Sequence, residues 1–455
     1  MTKSEIRMTN QRPMATAESV VCLKSAIRNP QSAIVVFAIF AAAVVLSGCS
    51  GPSAETIETR VAMDAEVTVH AIAPTKEDAD RCVAAAWQEM ELCLHRLDPR
   101  QPTSDIGRLN AEAGRFTITV DPLTTSCLAA ARETWIYTDH LYDPTVGPLT
   151  ALWKEAERQN RLPTDAEIAA ARSLLGMDKV EILVTTVQKA PDELGFVPPG
   201  YGPPKPEEMT KPVHAVGIRK GMRLDLGGVV KGYVAGRMAA RMKMAGATAG
   251  LVAAAGDIYA FGELPARAVQ YALGAPPRDI RRPGDDRQWT VAVQDPRDPD
   301  GRTPYTSIHI ENQAVDTGSR HARGFTIQGK RYSDILDPRT GRPVENRIAS
   351  VTVVGEDPAL TDALATAIVV LGAKDGLALA ETTNGVECLI LEVAPDEPVA
   401  AGPDGAPPRT AQLIAHRTTG FADMEFKPQG QEPPAAEPAS AEAPASPPAP
   451  TAPTP

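Results

Sequence analysis

The order of apolar and polar residues along this 455-residue chain predicts both helices and strands. Between Lys76 and Leu97 apolar residues recur at the spacing of one helical face, which predicts an amphipathic helix. Residues 116–120 alternate between apolar and polar, as a half-buried strand does. Because helices and strands follow one another without regular alternation, we expect an α+β fold with mixed sheets and packed helices.

The same patterns predict further elements along the chain. A strand at 222–226, a turn at Gly227-Gly228 and a helix over 229–245 form one strand–turn–helix unit. Asp357 and Pro358 suit the N-cap and first position of a helix that ends near Leu371. Other strands are expected at 66–69, 251–254, 289–294, 307–311, 324–328, 350–354 and 389–393, and other helices at 122–140, 164–175 and 377–381.

The N-terminal region has the pattern of an export signal. Residues 34–46 are all apolar, and a helix of that length spans roughly 20 Å, short of the ~30 Å of a bilayer core. The run therefore predicts a signal peptide over residues 1–48. Leu46–Cys49 also resembles the bacterial lipobox, in which the cysteine is acylated, although a plain signal peptide remains the alternative. We expect Cys49 to anchor the protein to the membrane of the bacterial envelope, on the periplasmic side.

Composition divides the rest of the chain. Proline is abundant, with 42 residues, and it is concentrated in two internal stretches and the C-terminal tail. We therefore expect a spacer over 49–60, one globular body over 61–425 with insertions at 189–212 and 263–288, and a disordered tail over 426–455. A net charge of −11 with 4% aromatic residues argues against nucleic-acid binding.

Cysteine and histidine spacing gives little support for cross-links or zinc. Cys82 and Cys93 share the predicted first helix and lie roughly 16 Å apart along it, whereas a disulfide needs Cα atoms within about 7 Å. These two cysteines should therefore not pair with each other. The seven histidines show no spacing that is typical of a zinc site.

The segment LDLGGVVKGY at 224–233 is the first candidate for chemistry. Two glycines allow a tight turn, and Lys231 then falls in the first turn of a helix. Free N–H groups at a helix start bind anions, and a lysine there adds charge for a phosphate. The alternative is an ordinary turn followed by a lysine that faces solvent.

The segment TDALATA at 361–367 is the second candidate. Asp362 and Thr366 are four residues apart, so they lie on one face of the predicted helix. A carboxylate and a hydroxyl are hard oxygen ligands, suited to Mg²⁺ that also meets a phosphate. The alternative has Thr366 bonding back to a helix carbonyl while Asp362 is merely exposed.

Four other segments are better explained as turns or chance groupings. Asp143-Pro144-Thr145 and residues 333–341 carry strong turn signals. Residues 324–330 match the GxxxxGK spacing, but Arg331 stands where a phosphate-binding loop needs Ser or Thr, so a hairpin is expected. Asp316 lies close to Ser319 and a histidine, but no nucleophile elbow surrounds the serine, so we expect no hydrolase triad.

Six segments, taken in order, form one consistent pattern. They are SDI at 104–106 with Leu109-Asn110, YDPTVGPLTALW at 142–153, LDLGGVVKGY at 224–233, AGDI at 255–258, YSDILDPRTGRPVEN at 332–346 and TDALATA at 361–367. Together they resemble the ApbE family of flavin transferases, over about residues 60–425. The resemblance implies an ApbE-type, T-fold-like α+β body.

The resemblance also implies an activity and a set of site residues. The expected enzyme splits FAD, its substrate, and transfers FMN to a threonine hydroxyl of an acceptor protein, with release of AMP. The family requires Mg²⁺, and the matching ligands are Asp362, Thr366 and the backbone carbonyl of Val230. The expected partners are FAD, an acceptor protein of an envelope redox complex, and the membrane. The matching catalytic positions are Lys231, Asp257 and Asp334, and the matching FAD-binding positions are Met63, Asp143, Pro144, Thr145, Asp225, Gly228, Lys231 and Ile335.

The chain departs from the family pattern in three places. Ala253 and Ala255 replace an asparagine and a glycine, the TSG run reads TGS, and Asp334 replaces a histidine. A carboxylate can act as a base for the attacking hydroxyl, but it is a poorer acid at neutral pH. Three functions therefore stay open: an active transferase, an FAD pyrophosphatase that releases FMN and AMP, and a non-catalytic FAD-binding lipoprotein.

Overall fold

The computed structural model describes residues 53–63, 65–188, 210–254, 256–265, 287–298, 303–319, 324–399 and 406–426. The strands are β1 (Ala54–Ala62), β2 (Ala65–Ala73), β3 (Ile118–Val120), β4 (Val180–Gln188), β5 (Thr210–Ile218), β6 (Ala249–Ala254), β7 (Asp257–Phe261), β8 (Trp289–Gln294), β9 (Pro304–Ile310), β10 (Gln313–Gly318), β11 (Gly324–Ile327), β12 (Lys330–Ser333), β13 (Leu336–Asp337), β14 (Arg342–Pro343), β15 (Ile348–Gly355), β16 (Glu387–Val393), β17 (Leu413–Arg417) and β18 (Glu425–Phe426). The helices are α1 (Lys76–Leu97), α2 (Asp105–Ala111), α3 (Pro122–Tyr137), α4 (Gly147–Arg158), α5 (Asp165–Arg172), α6 (Val230–Met244), α7 (Pro358–Leu371), α8 (Ala373–Thr382) and α9 (Phe421–Met424).

An eight-stranded antiparallel sheet forms the centre of the described body. Its strand order is β1-β2-β6-β7-β10-β15-β16-β17. Each strand runs antiparallel to its neighbours. This arrangement of antiparallel strands with packed helices confirms the predicted α+β class.

Helices cover one face of the central sheet. Helix α1 packs on β1 and β2, α6 on β6 and β7, and α7 on β10 and β15. The three helices lie side by side, because α6 contacts both α1 and α7. Trp87 and Met90 of α1 and Met238 of α6 are buried in the core between these helices and the sheet.

The opposite face of the central sheet is covered by a smaller sheet with the order β18-β9-β8. Leu251 of β6, Ile258 of β7 and Val315 of β10 form a buried cluster with Trp289 and Ile308 of the small sheet. Because side chains alternate along a strand, the residues next to Ile258 and Val315 point to the helical face.

Two smaller units flank this body. A third sheet has the order β3-β5-β4. Strands β11 and β12 form the expected hairpin, and its turn residues Gln328 and Gly329 both have positive φ angles of 51° and 78°. Phe325 of the hairpin stacks on Trp153 of α4, and both side chains belong to a separate buried cluster.

Several elements agree with the sequence predictions because their ends carry local signals. Helix α1 has the predicted bounds, and its N-cap Thr75 accepts a hydrogen bond from the N–H of Asp78. Helix α7 also has the predicted bounds, with Asp357 as the N-cap. Thr164 forms the expected capping box with Glu167, although α5 ends at Arg172 rather than near residue 175.

Two predictions about the chain path differ from the structure. Residues 222–226 do not form a strand; instead the Asn110 side chain bonds both the N–H (2.7 Å) and the C=O (3.0 Å) of Leu224. A side chain distant in sequence thus takes the place of a neighbouring strand. The spacer expected over 49–60 is replaced from Ala54 onward by β1, which pairs with β2 along its whole length.

Other predictions fall outside the described residues. These are the apolar run at 34–46, Cys49, Ala255 and the tail after Phe426. The insertions predicted at 189–212 and 263–288 are described only at their ends, where residues 210–212 belong to β5. Within the described segments, no helix is both long and apolar enough to cross a bilayer.

The four cysteines within the described segments are buried and unpaired. They are Cys82, Cys93, Cys127 and Cys388. The expectation that Cys82 and Cys93 do not pair with each other is confirmed.

Candidate active site and cation pocket

Three carboxylates meet on the helical face of the central sheet. Asp257 begins β7, Asp316 lies on β10, and Asp362 lies in the second turn of α7. All three are buried, and each offers an oxygen atom within 4.8 Å of the others. Asp257 precedes Ile258 and Asp316 follows Val315, and the side chains of this cross-strand pair enter the opposite core. The alternation of the two strands therefore directs both carboxylates toward α6 and α7.

Lys231 joins this acidic group from the first turn of α6. Its ammonium forms an ion pair with Asp257 Oδ2 and lies 3.7 Å from Asp362 Oδ1. Burial alone would lower the pKa of Lys231, but the charges of Asp362, Asp257 and Asp316 outweigh it and raise the pKa. The lysine is therefore a charged member of the pocket rather than a solvent-facing side chain.

Two of these carboxylates, Asp362 and Asp316, resist ionisation in this setting. Burial raises the pKa of Asp362 to about 7, with a further increase from Asp257, against the lowering effect of Lys231 and the Gly232 N–H. Burial, together with the charges of Asp257 and Asp362, also raises the pKa of Asp316 well above its usual value. One ammonium cannot balance three carboxylates, so the pocket has an excess of negative charge when all three are ionised.

The donor atoms of this pocket fit a divalent cation such as Mg²⁺. Asp257 Oδ1 is buried and has no hydrogen-bond partner among the described residues. Buried carboxylate oxygens nearly always have a partner, and a bound cation would supply one. Carboxylate and hydroxyl oxygens are the ligands that Mg²⁺ prefers.

Glycines allow the two helices to meet closely enough to build the pocket. A methyl group at Gly232 would lie 1.9 Å from the carbonyl oxygen of Pro358, and one at Gly236 would lie 2.8 Å from the Pro358 ring. Any side chain at either glycine would therefore push α6 away from the start of α7. The close contact places Lys231 beside Asp362.

Gly228 leaves space for Thr366 and for a tyrosine ring. A methyl group at Gly228 would lie 3.0 Å from Tyr142 Cε2 and 3.1 Å from Thr366 Oγ1. Thr366 is half-buried. Among the described residues, its hydroxyl makes no hydrogen bond to a backbone carbonyl of α7. Val230 opens α6 immediately after this turn. The residues predicted to bind the metal thus surround one region at the junction of α6 and α7.

The predicted FAD-binding turn is held by its own hydrogen bonds. Asp143 Oδ1 accepts bonds from the N–H (2.8 Å) and the hydroxyl (2.5 Å) of Thr145, and Thr145 Oγ1 accepts a bond from the Gly176 N–H at 2.6 Å. Burial raises the pKa of Asp143, although the bonds from Thr145 oppose the increase. Pro144 O accepts a bond from the Asp225 N–H at 2.8 Å, which ties this turn to the segment before α6.

Three other predicted site residues lie apart from these contacts. Met63 forms the turn between β1 and β2 with a φ of 53° and packs against the helical core. Asp334 and Ile335 occupy the half-buried connection between β12 and β13. Ile335 packs against a buried cluster that includes Leu364 and Ala365 of α7, and the predicted roles of Asp334 and Ile335 remain predictions.

The sequence patterns missed Asp316 and Tyr142 as members of this region. In the sequence, Asp316 lies near Ser319 and a histidine, which suggests only a hydrolase triad. Asp257 and Asp362, which contact it in the fold, are distant along the chain. The available signal is the alternation of β10, in which buried Val315 faces one core and Asp316 faces the other. The buried hydroxyl of Tyr142 gave no sequence signal.

The fold and the pocket define an α+β protein with a buried, carboxylate-rich pocket at the junction of two helices. The model of the ApbE family matches residues 63–390, and the chain belongs to the ApbE family. This confirms the resemblance in the sequence motifs.

Two curated relatives illustrate the similarity. An FAD:protein FMN transferase of Klebsiella pneumoniae is 25% identical over 295 residues, which cover 65% of this chain and 77% of the relative. An FAD:protein FMN transferase of Treponema pallidum is 27% identical over 316 residues, which cover 69% of this chain and 76% of the relative.

Solved structures share the fold. The apo form of the flavinyl transferase ApbE of Pseudomonas stutzeri superposes with a TM-score of 0.58 at 22% identity, covering 83% of this chain and 98% of that one. The ApbE protein of Thermotoga maritima gives a TM-score of 0.59 at 23% identity, covering 82% of this chain and all of that one.

Proposed function

We propose that this protein transfers FMN from FAD to a threonine hydroxyl of an acceptor protein, in a reaction that requires Mg²⁺ and releases AMP. The observation that carries the proposal is the pairing of Lys231 with Asp257 and Asp362 in a buried pocket where α6 meets α7. Family membership supports the same reaction, because the curated relatives are named FAD:protein FMN transferases.

Asp362, Thr366 and the carbonyl of Val230 are the proposed ligands of Mg²⁺, with Asp257 and Asp316 as further carboxylates within reach. When bound, Mg²⁺ supplies positive charge that stabilises the phosphate groups during displacement. The excess negative charge and the unpartnered Asp257 Oδ1 support this assignment.

The residues of the chain have separate roles in the proposed reaction. Lys231, at the N-terminal end of α6, provides a fixed positive charge for phosphate oxygens. Asp334 accepts the proton of the threonine hydroxyl as its oxygen attacks the FMN phosphorus. The bond between the two phosphates then breaks, and AMP leaves with the electron pair. Met63, Asp143, Pro144, Thr145, Asp225, Gly228 and Ile335 form the proposed surroundings of FAD.

Lys231, Asp362 and Thr366 would serve a second candidate equally well, an FAD pyrophosphatase. In that reaction water takes the place of the threonine hydroxyl, and FMN and AMP are both released. Asp334, which stands in place of the family histidine, is a weaker proton carrier at neutral pH and would slow attack by either nucleophile, because general acid–base catalysis contributes about 10²–10⁴-fold.

One assay separates these functions. The purified protein is incubated with FAD, Mg²⁺ and a threonine-containing acceptor, and the acceptor mass and free nucleotides are measured. We expect the acceptor to gain the mass of FMN while AMP appears. FMN and AMP without a modified acceptor would support the pyrophosphatase, and intact bound FAD would leave a non-catalytic binder.

We also propose that the protein is a lipid-anchored component of the bacterial envelope, exposed to the periplasm. The support is the apolar run at 34–46 followed by Cys49, a pattern that resembles a lipobox. The acceptor would then be a protein of an envelope redox complex. Replacement of Cys49 by Ser should release the protein from the membrane fraction, and unchanged membrane association would contradict the proposed anchor.

A further inference from the structure

Tyr142 has a buried hydroxyl that no described residue satisfies. The side chain is 4% exposed, and its oxygen has no hydrogen-bond partner among the described residues. Its ring lies against Gly228, the same glycine that borders Thr366 Oγ1. The tyrosine therefore sits at the edge of the pocket proposed for the cation.

The environment of this hydroxyl is polar on one side. Burial raises the pKa of the Tyr142 phenol, and among the nearby carboxylates Asp362 adds most to this increase, ahead of Asp225 and Asp143. None of these carboxylates is within hydrogen-bond distance of the hydroxyl. The Tyr142 hydroxyl and Asp362 are therefore electrostatic neighbours that share no direct hydrogen bond.

A buried hydroxyl without a partner is costly, because it has lost its bonds to water and gained none. A phenylalanine would fill the same space against Gly228 without that cost. Buried tyrosine hydroxyls usually find a partner, and a phenol can both donate and accept a hydrogen bond. The missing partner is then a component of the loaded site.

We propose that the Tyr142 hydroxyl hydrogen-bonds an oxygen atom held in the pocket of Asp362 and Thr366, either a water on the cation or a phosphate oxygen. This inference rests on the proposed Mg²⁺-dependent function and adds a residue to it. Tyr142 is a positioning residue in this scheme: it orients an oxygen that the cation also binds, as outer partners of metal ligands commonly do.

The first test measures thermal unfolding of the metal-free protein with and without Mg²⁺. Without metal, Tyr142→Phe should raise the Tm by about 1–3 °C, because it removes an unsatisfied buried group. With a water on the cation as the partner, the same variant should bind Mg²⁺ about 10-fold more weakly, measured from the increase in Tm with Mg²⁺ concentration.

The second arm adds inorganic pyrophosphate together with Mg²⁺. If the partner is a phosphate oxygen, Tyr142→Phe should bind Mg²⁺ alone normally but lose about 10-fold in apparent affinity for pyrophosphate. The matched control is Tyr233→Phe, whose hydroxyl already donates to the carbonyl oxygen of Leu123 at 3.4 Å. This control should leave both affinities unchanged.

The outcomes separate this inference from the proposed function. If the wild-type protein shows no response to Mg²⁺ in either arm, the proposed metal site and the role of Tyr142 both fail. If the wild-type protein responds and Tyr142→Phe responds equally in both arms, only the role of Tyr142 fails. A lower Tm for Tyr142→Phe with unchanged affinities would show that the hydroxyl has a purely structural role.

Discussion

The backbone N–H of Gly232 donates a hydrogen bond to the Asp362 carboxylate at 3.4 Å. Gly232 is the third residue of α6, so its N–H has no acceptor within its own helix. The Asp362 side chain of α7 thus provides the acceptor for an N–H group in the first turn of α6. Asp362 therefore links the geometry of the helix junction to the proposed binding of the cation.

Replacing Asp362 by Ala should abolish the response to Mg²⁺ and reduce FMN transfer by about 100-fold or more, because a proposed ligand is lost. Asp362→Asn should give a similar loss of activity while keeping an oxygen for the Gly232 N–H. The measurements are the transfer rate at several Mg²⁺ concentrations and the Tm. Unchanged Mg²⁺-dependent rates in both variants would disprove the metal assignment.

The control for this experiment lies on the same helix. Asp357 caps α7 by accepting bonds from the N–H groups of Ala359 and Leu360. Asp357→Ala should cost about 1 kcal/mol of stability through the lost cap. Its Mg²⁺ dependence should be that of the wild-type protein, which would separate damage to the helix from loss of a ligand.

Two adjacent glycines provide a test of the space around Thr366. Gly228→Ala should reduce Mg²⁺ affinity and transfer by about 10-fold, because the new methyl group would crowd both Tyr142 and Thr366 Oγ1. Gly227→Ala should have little effect, since a methyl group there approaches only Asp225 Oδ1, at 3.2 Å. Equal effects of the two substitutions would show that the turn, rather than the pocket, is sensitive.

The stability of the metal-free protein should decrease as pH rises from about 4 to about 7. Burial raises the pKa values of Asp316 and Asp362 in the folded state, whereas an aspartate in the unfolded chain has a pKa of about 3.9. Between these values the folded state holds more protons than the unfolded state, so the free energy of unfolding falls with pH.

The substitution Asp316→Asn should make this pH dependence smaller, because it removes one of the carboxylates that must be ionised. Thermal unfolding in the presence of a chelator, at constant ionic strength, measures the effect. Equal pH slopes in the wild-type protein and the variant would contradict the assigned position of Asp316 among the charged groups.

The role of Asp334 is tested by restoring the family residue. Asp334→His should increase transfer at neutral pH by about 10-fold, because an imidazole exchanges protons near pH 7 more readily than a carboxyl group. Transfer is measured as FMN attached to the acceptor, with free AMP measured alongside. An equal or lower rate would show that the carboxylate is itself suited to this position, and Asp334→Ala should then be slower than the wild-type protein.

Local signals in the sequence were sufficient to predict α1 and α7. Thr75 and Asp357 each cap a helix through their own side chains, so the helix starts depend only on nearby residues. The motif at 361–367 also placed Asp362 and Thr366 on one helix, as the structure has them. Such predictions succeed where the decisive contacts lie within a few residues along the chain.

The parts of the fold and of the site that the sequence did not predict depend on contacts between distant segments. Residues 222–226 have the composition of a strand, but the Asn110 side chain bonds their backbone from 114 positions away. Asp316 joined the acidic group only because β10 pairs with β7, which no pattern within either strand determines. The close approach of Gly232 to Pro358 is likewise a property of two packed helices rather than of either sequence.

The buried cysteines give the protein a practical property in chemical labelling. Burial raises the pKa of the thiols of Cys82, Cys93, Cys127 and Cys388, for Cys93 to about 12. Thiolates are the reactive form, so these four side chains should resist maleimide reagents while the protein is folded. A cysteine placed at Val61, which is 81% exposed on β1, should react far faster. A dye attached there would lie two residues from Met63, a proposed FAD-binding residue, so a change in its emission when FAD is added would test that assignment.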